Sequence, residues 1–350
     1  MNELNKIDHV NDTDLPQSEQ KSHSAKKKKA ATARRIFVIG SILLFILLFA
    51  AVIILNGKIS SLSKRLNDSE EYIAAVNTHI YEYASTDDVF LFEDSTYGEV
   101  WLPAFENVPL NTLDYDGLAL EDNNRYVYYE GDKPVSKTGI DVSYHQGDID
   151  WQRVAADGID FVMVRIGYRG YESGVMNVDE RADEYISGAL EAGLDVGAYF
   201  YSQAITEAEA VEEAVFVCEL LKNYKITYPV VFDWEIPGDE NARTNDVSTE
   251  TLNKCAAAFC SKISESGYTP MIYSGLKMAL CKFDMRSLCV FDFWYVEYKD
   301  GHNPPLYPYE LQMWQYASDG SVDGIDGNVD MNICFTDYNI IYEALHNGEN

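Results

Sequence analysis

PVVFDWE, residues 229–235, is the stretch from which the fold of this chain can be inferred. Its apolar run after a proline predicts a short buried strand, of the kind found in parallel sheets that are covered on both faces. Side chains alternate along a strand, so Asp233 and Glu235 are predicted on one face and Trp234 on the other. Two neighbouring carboxylates repel each other, which raises the pKa of one of them and favours a proton donor near neutral pH.

Strand and helix patterns alternate on both sides of this stretch. Amphipathic helices follow the first four strands of the series, and the last three strands have no long helix between them. The pattern predicts an α/β fold, an irregular (β/α) barrel of the TIM type with eight strands, over residues 137–350. The predicted strands are residues 139–143, 161–166, 195–201, 229–235, 269–274, 293–298, 311–316 and 327–332.

Two of the predicted helices have clear apolar faces. Thr206 with Glu209 forms a capping-box signature at the start of the first. That helix is predicted to turn Val211, Ala214, Val215, Cys218 and Leu221 inward. The second begins near Ser248 and is predicted to bury Leu252, Cys255, Phe259 and Ile263.

Barrel closure would bring four acidic residues together. Functional side chains of such barrels gather at the C-terminal ends of the strands. Asp141 lies in the first predicted strand and Asp330 in the eighth, and these strands become neighbours when the barrel closes. Asp233 and Glu235 end the fourth strand on the facing side. The four carboxylates are therefore predicted to line one pocket, which favours a functional site over a solvated acidic pair.

The N-terminal part of the chain has the features of a membrane anchor. Residues 36–55, IFVIGSILLFILLFAAVIIL, carry no charge and are long enough for one transmembrane helix. The length of this run and the missing cleavage site argue against a cleaved signal peptide. Lys and Arg are concentrated before the span, so the N-terminus is predicted in the cytoplasm and the chain after residue 56 outside. Residues 1–35 are predicted to form a basic, disordered tail.

Two segments separate this span from the barrel. Over residues 56–84, apolar side chains recur at alternating steps of three and four, which predicts a helical stalk. The same repeat is compatible with a homodimeric coiled coil. Residues 85–136 contain several Pro and Gly residues and are predicted to form short strands and turns that lead into the barrel.

Composition excludes several classes of function. The net charge is −30, with no basic surface beyond the N-terminus, which excludes nucleic acid as a partner. The six histidines are scattered without metal-ligand spacing, and no GxSxG, P-loop or GxGxxG motif occurs, so no metal or cofactor is expected. The six cysteines show no disulfide framework and are predicted to be small buried apolar residues.

Six ordered motifs between Gly139 and Phe335 resemble the family 25 glycoside hydrolases, which are lysozyme-like muramidases with an irregular β/α barrel. The motifs are GIDVSYHQG (139–147), GAYFYS (197–202), PVVFDWE (229–235), GYTPMIYSG (267–275), WQYA (314–317) and GNVDMN (327–332). The resemblance implies cleavage of the β-1,4 bond between N-acetylmuramic acid and N-acetylglucosamine in peptidoglycan. By position, the general acid of the family falls on Glu235, its companion carboxylate on Asp233, and two further acids on Asp141 and Asp330.

Glycoside cleavage needs a proton for the leaving oxygen and a stabiliser for an oxocarbenium-like centre. Glu235, kept neutral by Asp233 and the apolar strand, is the predicted proton donor. Two routes are open for the second task. Either Asp330 or Asp141 attacks directly, or the N-acetyl oxygen of the substrate attacks while Asp233 orients it. The same-face DxE spacing resembles the substrate-assisted chitinases and favours the second route.

Aromatic side chains bind the C–H faces of sugars, and four of them in the matched strands are candidates for substrate binding, with core packing as the equal alternative. They are Tyr199, Tyr273, Trp294 and Trp314. The sequence as a whole predicts a single-pass membrane protein whose barrel faces the cell wall and hydrolyses peptidoglycan glycan strands. The alternative is a non-catalytic peptidoglycan-binding scaffold on the same barrel, against which the four intact carboxylates argue.

Overall fold

The computed structural model describes residues 28–29, 31–35, 37, 39–40, 48–49, 52–60, 84–94, 98–298 and 303–347. They belong to two compact units, Met1–Ala75 and Val76–Asn350, which we describe separately.

In the first unit, the described residues are helical. Residues 28–29 and 31–35 are therefore helix where the sequence predicted a disordered tail. Within the described ranges, no helix combines the length and the apolar character that a membrane crossing needs. More than half of the predicted span 36–55 and residues 61–83 of the predicted stalk lie outside the described residues. The anchor, the stalk and the dimer stay predictions.

The second unit is mixed α/β. Its described strands are β1 (Ala84–Asp94), β2 (Gly98–Phe105), β3 (Leu118–Leu120), β4 (Tyr126–Glu130), β5 (Lys133–Pro134), β6 (Lys137–Val142), β7 (Phe161–Arg169), β8 (Met176–Val178), β9 (Asp195–Ser202), β10 (Val230–Trp234), β11 (Pro270–Gly275), β12 (Asp292–Val296), β13 (Met313–Gly320) and β14 (Val329–Cys334). Its described helices are α1 (Trp151–Ala156), α2 (Ala182–Glu191), α3 (Glu207–Leu221), α4 (Thr249–Glu265), α5 (Leu276–Cys281), α6 (Met285–Leu288) and α7 (Tyr338–Asn347).

Eight of the described strands close into a barrel, in the order β6, β7, β9, β10, β11, β12, β13 and β14, with β14 pairing back to β6. They correspond to the eight strands predicted from the sequence. The pairs from β6 to β13 are parallel. β14 is antiparallel to both of its neighbours, and this strand is where the predicted irregular barrel departs from a regular TIM barrel. The short segment 321–328 contains no helix that could carry the chain back across the barrel, so β14 must return in the opposite direction.

The reversal of β14 determines where its acidic residue lies. Asp330 is the second residue of β14, and its register partner on β6 is Asp141. Because β14 starts at the end of the barrel where the parallel strands finish, Asp330 lies at the same mouth as the acids of β6 and β10. An all-parallel strand would have placed it near the other end.

The interior of the barrel is apolar and aromatic, and α7 closes its far end. The ring centroid of Tyr338, in α7, lies 5.2 Å from that of Tyr228. The Tyr338 hydroxyl donates a hydrogen bond at 2.8 Å to Oδ2 of Asp292, the first residue of β12. The buried cluster comprises Phe161, Met163, Tyr228, Val231, Met271, Trp294, Met313, Cys334 and Tyr338. A barrel filled in this way is a packed core. Among the described residues, the end of the barrel where the parallel strands finish is the one left open to a ligand.

Helix α3 presents a different face to the barrel from the one predicted. Its buried residues are Ala210, Glu213, Ala214, Val217 and Leu221. Val211 and Val215, which were predicted inward, are 38% and 43% exposed. The apolar pattern missed this face because Glu213 is buried as the partner of Arg169, whose Nε donates to Glu213 Oε1 at 2.6 Å. The face predicted for α4 is buried as expected.

The segment before the barrel is more than a set of short strands. β1 has 11 residues and pairs with β2. The backbone N–H of Phe105 donates to the Tyr309 hydroxyl at 2.8 Å, and the ring of Tyr126 lies 4.8 Å from that of Trp314 between centroids. These contacts attach the segment to the outer side of the barrel near β13.

Candidate active site

Asp233 and Glu235 form a hydrogen-bonded pair at the end of β10. Asp233 is 5% exposed, on the inner face of the strand, and Glu235 follows the strand and is exposed. Trp234 points outward, as predicted, and its Nε1 donates to the Ala204 carbonyl oxygen at 3.1 Å. The pair therefore has one buried member and one member that a ligand in the mouth can reach.

The environment of this pair favours a bound proton. Burial raises the pKa of Asp233 well above its usual range, and the charge of Glu235 and the hydrogen bond to it raise it further. Desolvation within the cleft also raises the pKa of Glu235, although part of its side chain is exposed, while its hydrogen bond with Asp233 opposes that rise. The sequence predicts the proton on Glu235. Desolvation favours Asp233 as its resting place in the free protein, one hydrogen bond away from Glu235.

Asp141 and Asp330 form a second acidic pair, directly opposite each other in the β6–β14 ladder. Asp141 is 6% exposed, and its Oδ2 accepts hydrogen bonds from Gln315 Nε2 at 2.7 Å and Asn332 Nδ2 at 2.8 Å. Burial, and next the charge of Asp330, raise the pKa of Asp141 to about 7, while the two amide donors oppose the rise. Burial raises the pKa of Asp330 to about 6.

The structure brings the two pairs to one mouth of the barrel. The charge of Glu235 contributes to the raised pKa of Asp141, and the charge of Asp141 contributes to that of Asp233. These groups therefore act on one another across the opening, as the closed barrel predicted. The chemical result is a cleft with carboxyl groups on two facing walls.

Two amides and a tyrosine at this site, Gln315, Asn332 and Tyr298, are not predicted from the sequence. Gln315 Oε1 accepts from the hydroxyls of Tyr273 at 2.9 Å and Tyr298 at 2.8 Å, which fixes its amide with Nε2 toward Asp141. Asn332 Oδ1 accepts from Trp294 Nε1 at 2.8 Å. Strand alternation could have found both amides, since Asn332 lies two residues after Asp330, and Gln315 lies two residues after the inward Met313.

The four predicted aromatic residues have different positions. Tyr199 and Tyr273 are partly buried on the inner face, next to the core. Trp294 is 2% exposed and lies 4.8 Å from Tyr273 between ring centroids, under the site. Trp314 is 1% exposed on the outer side of β13, where its Nε1 donates to the Glu297 carbonyl oxygen at 3.0 Å. Burial leaves neither indole a free face for a sugar, which favours the core-packing alternative for both tryptophans.

One cation lies in the wall of the cleft. Arg165 of β7 pairs with Asp179 Oδ2 at 2.7 Å, and its guanidinium carbon lies 5.1 Å from the ring centroid of Tyr144 and 5.6 Å from that of Tyr168. Its charge opposes the rise in the pKa of Asp233 that burial and Glu235 cause. Arg165 therefore favours the charged form of Asp233.

Other parts of the surface are less suited to this chemistry. Within the described ranges, no group of three or more His, Cys, Asp or Glu residues is arranged to hold a metal ion. A cavity of about 980 Å³ lies between the start of α1 and the β13–β14 hairpin, and its lining contains none of the four carboxylates. The cleft at the barrel mouth is therefore the candidate active site.

Comparison with known proteins gives the same assignment for the fold. Among curated proteins, the uncharacterized protein YegX of Escherichia coli O157:H7 is 27% identical over 223 residues, which are 59% of this chain and 77% of that protein. An autolytic lysozyme of Clostridium acetobutylicum is 23% identical over 194 residues, 55% of this chain and 54% of that protein.

Solved structures with a similar fold include a bacterial autolysin and a spore cortex lytic enzyme. The modular autolysin LytC from Streptococcus pneumoniae superposes with a TM-score of 0.51 at 22% identity, covering 72% of this chain and 57% of that chain. The spore cortex lytic enzyme SleM of Clostridium perfringens superposes with a TM-score of 0.50 at 22% identity, covering 59% of this chain and 69% of that chain. The profile of glycosyl hydrolases family 25 matches residues 140–325, which is more than half of the chain and covers the barrel from β6 to β13. The chain belongs to glycosyl hydrolase family 25.

Proposed function

We propose that this protein hydrolyses peptidoglycan at the β-1,4 bond between N-acetylmuramic acid and N-acetylglucosamine, with Glu235 as proton donor. The observation that carries the proposal is the hydrogen-bonded Asp233–Glu235 pair facing the Asp141–Asp330 pair across one mouth. Related proteins support the substrate class, since LytC has been solved in complex with a synthetic peptidoglycan ligand.

Glu235 is the member of its pair that can reach a leaving-group oxygen. It is exposed, whereas Asp233 is 5% exposed and lies behind it. The proton that burial keeps on the pair passes to Glu235 through their hydrogen bond and then to the glycosidic oxygen. General acid catalysis of this kind contributes a factor of about 10² to 10⁴ in rate.

Asp233 supports the substrate-assisted route. Its Oδ1 is buried and has no hydrogen-bond partner among the described residues. A buried unpaired oxygen is costly, and an N–H group of the substrate would satisfy it once the exposed Glu235 side chain has shifted to open a path to it. The acetamide of the sugar offers such a donor, and fixing that donor aims the carbonyl oxygen of the acetamide at the reacting carbon. The facing pair, Asp141 and Asp330, then stabilises the positive charge that develops on the sugar.

The test is hydrolysis of purified peptidoglycan by the full-length protein, followed by mass analysis of the new reducing ends. Glu235→Gln is expected to lower the rate by about 10² to 10⁴. Glu240→Gln, at an exposed carboxylate five residues further on, is the matched control and is expected to keep the parent rate. New ends on N-acetylglucosamine instead of N-acetylmuramic acid, or full activity of Glu235→Gln, would contradict the proposal. Glycan binding without new ends would favour the scaffold.

We also propose that residues 36–55 anchor the protein in the cell membrane, with the N-terminus in the cytoplasm and the barrel facing the wall. The uncharged length of this span and the Lys and Arg residues before it support the proposal. Several of its described side chains, such as Phe49 and Ile54, are more than 60% exposed, which suits an environment of lipid.

A further inference from the structure

The side chain of Gln203 joins the loop after β9 to the residue proposed as the catalytic acid. It is fully buried, and its Nε2 donates to the backbone carbonyl of Glu235 at 2.9 Å and to that of Ser202 at 2.9 Å. Its Oε1 accepts from the Thr244 hydroxyl at 2.9 Å. Both ends of the amide are therefore used, and the three bonds determine its orientation.

Glu235 lies one residue beyond the paired residues of β10. The register of β10 with β9 ends at the pair Trp234 and Ser202, and that with β11 ends at Asp233. Glu235 follows directly, and its side chain is exposed. The Gln203 amide extends the hydrogen bonding of the sheet by one residue, at the position where the chain leaves β10.

A second set of contacts holds Gln203 itself. Arg243, in the loop after β10, donates from Nη1 to the Gln203 carbonyl oxygen at 3.2 Å and from Nη2 to Glu209 Oε1 at 2.6 Å. The backbone N–H of Arg243 donates to the Tyr171 carbonyl oxygen at 2.9 Å. The loops after β7, β9 and β10 and the first turn of α3 are thus tied together around Gln203.

We infer that Gln203 is a positioning residue for the proton donor. By holding the Glu235 carbonyl, it sets the distance and angle from the carboxyl group to the glycosidic oxygen. The inference rests on the proposed role of Glu235. Reacting groups must be held to within a fraction of an ångström, and a displacement of about 1 Å costs about 10²-fold in rate. A role in packing alone would instead affect stability.

The test compares Gln203→Met with the parent protein on soluble, uncross-linked peptidoglycan fragments. Methionine has a similar length and cannot donate to either carbonyl. We expect kcat to fall by about 10- to 100-fold with KM within about twofold. Thr244→Val, which frees Gln203 Oε1, should change kcat in the same direction by a smaller factor. Thr227→Val is the matched control: its buried hydroxyl donates to Asp195 Oδ1 at 3.0 Å near the start of β9, so it should lower Tm and leave kcat unchanged.

Glu235→Gln, measured in the same assay, separates the two ideas. If Glu235→Gln keeps the parent kcat, the proposed function fails. If Glu235→Gln is inactive while Gln203→Met keeps kcat, or changes only KM or Tm, the positioning role is overturned and the proposed function stands. If Gln203→Met does not fold, Thr244→Val decides, and an unchanged kcat for that variant overturns the inference.

Discussion

Replacing Asp141 by asparagine is expected to stabilise the protein at alkaline pH and to abolish hydrolysis. Both amide donors to this residue, Gln315 and Asn332, reach the same oxygen, Oδ2. The carbonyl oxygen of an asparagine can take that place and accept both hydrogen bonds. Its amide group then takes the place of Oδ1, and the charge that Asp330 meets across the ladder is removed. The exchange is nearly isosteric and removes a buried like-charge pair.

The magnitude follows from the pKa of Asp141. Burial and then Asp330 raise this pKa from 3.8 to about 7, so the folded state binds the proton more tightly than the unfolded state does. The stability that the proton on Asp141 contributes is therefore fully present below pH 3.8 and is lost as the pH rises through about 7. A rise of about three units corresponds to about 4 kcal/mol. Because Asp330 shares this repulsion, we expect Asp141→Asn to gain about 2–4 kcal/mol at pH 8, a Tm about 5–15 °C higher.

The assay is thermal and urea unfolding of the purified full-length protein between pH 3.5 and 8, together with release of reducing ends from peptidoglycan. The gain in stability should be near zero at pH 3.5 and should grow to its full size by pH 8. Asp195→Asn is the control, since Asp195 also accepts two side-chain hydrogen bonds, from Thr227 and Asn339, and faces Phe161 in the ladder. A gain that does not change with pH, or a loss at pH 8, would refute this reasoning.

Three further predictions concern the barrel and the anchor. Trp314→Phe should lower the free energy of unfolding by about 1–3 kcal/mol without changing kcat or KM, because its side chain packs outside the barrel. Tyr273→Phe removes one donor to Gln315 and should lower kcat/KM by about 2- to 10-fold. Equal kinetic effects of Trp314→Phe and Tyr273→Phe would contradict the placement of Trp314 outside the barrel and Tyr273 inside it. A variant without residues 36–55 should move from the membrane fraction to the soluble fraction. The control, a variant without residues 1–20, should stay in the membrane fraction. If both variants stay in the membrane fraction, residues 36–55 are not the anchor.

The barrel could be predicted from the sequence because its signals are local. Each strand is a short apolar run with its own boundaries, and the acids of β6, β10 and β14 follow strand alternation. The direction of β14 is set by the length of a connection and not by the strand itself. The missing helix between residues 316 and 327 was the available signal for an antiparallel return.

The side-chain networks could not be predicted in this way. Glu213 looks like a surface residue in the helical pattern, and its burial depends on Arg169, which lies 44 positions earlier. Gln203 and Thr244 meet across 41 positions, and no periodic pattern relates them. Such contacts are determined by the tertiary fold and become visible only when the loops above the barrel are placed.

The two acidic pairs differ in the groups around them, and this difference supports the roles proposed for them. Asp141 Oδ2 receives two amide N–H donors, which stabilise a carboxylate and cannot accept a proton. Asp233 Oδ1 is equally buried and meets no donor among the described residues. A proton shared within the cleft is therefore held more tightly on the Asp233 side, and the negative charge on the Asp141 side. Glycoside cleavage needs this asymmetry, with an acid on one wall and an anion on the other, and four carboxylates in equal surroundings would not supply it.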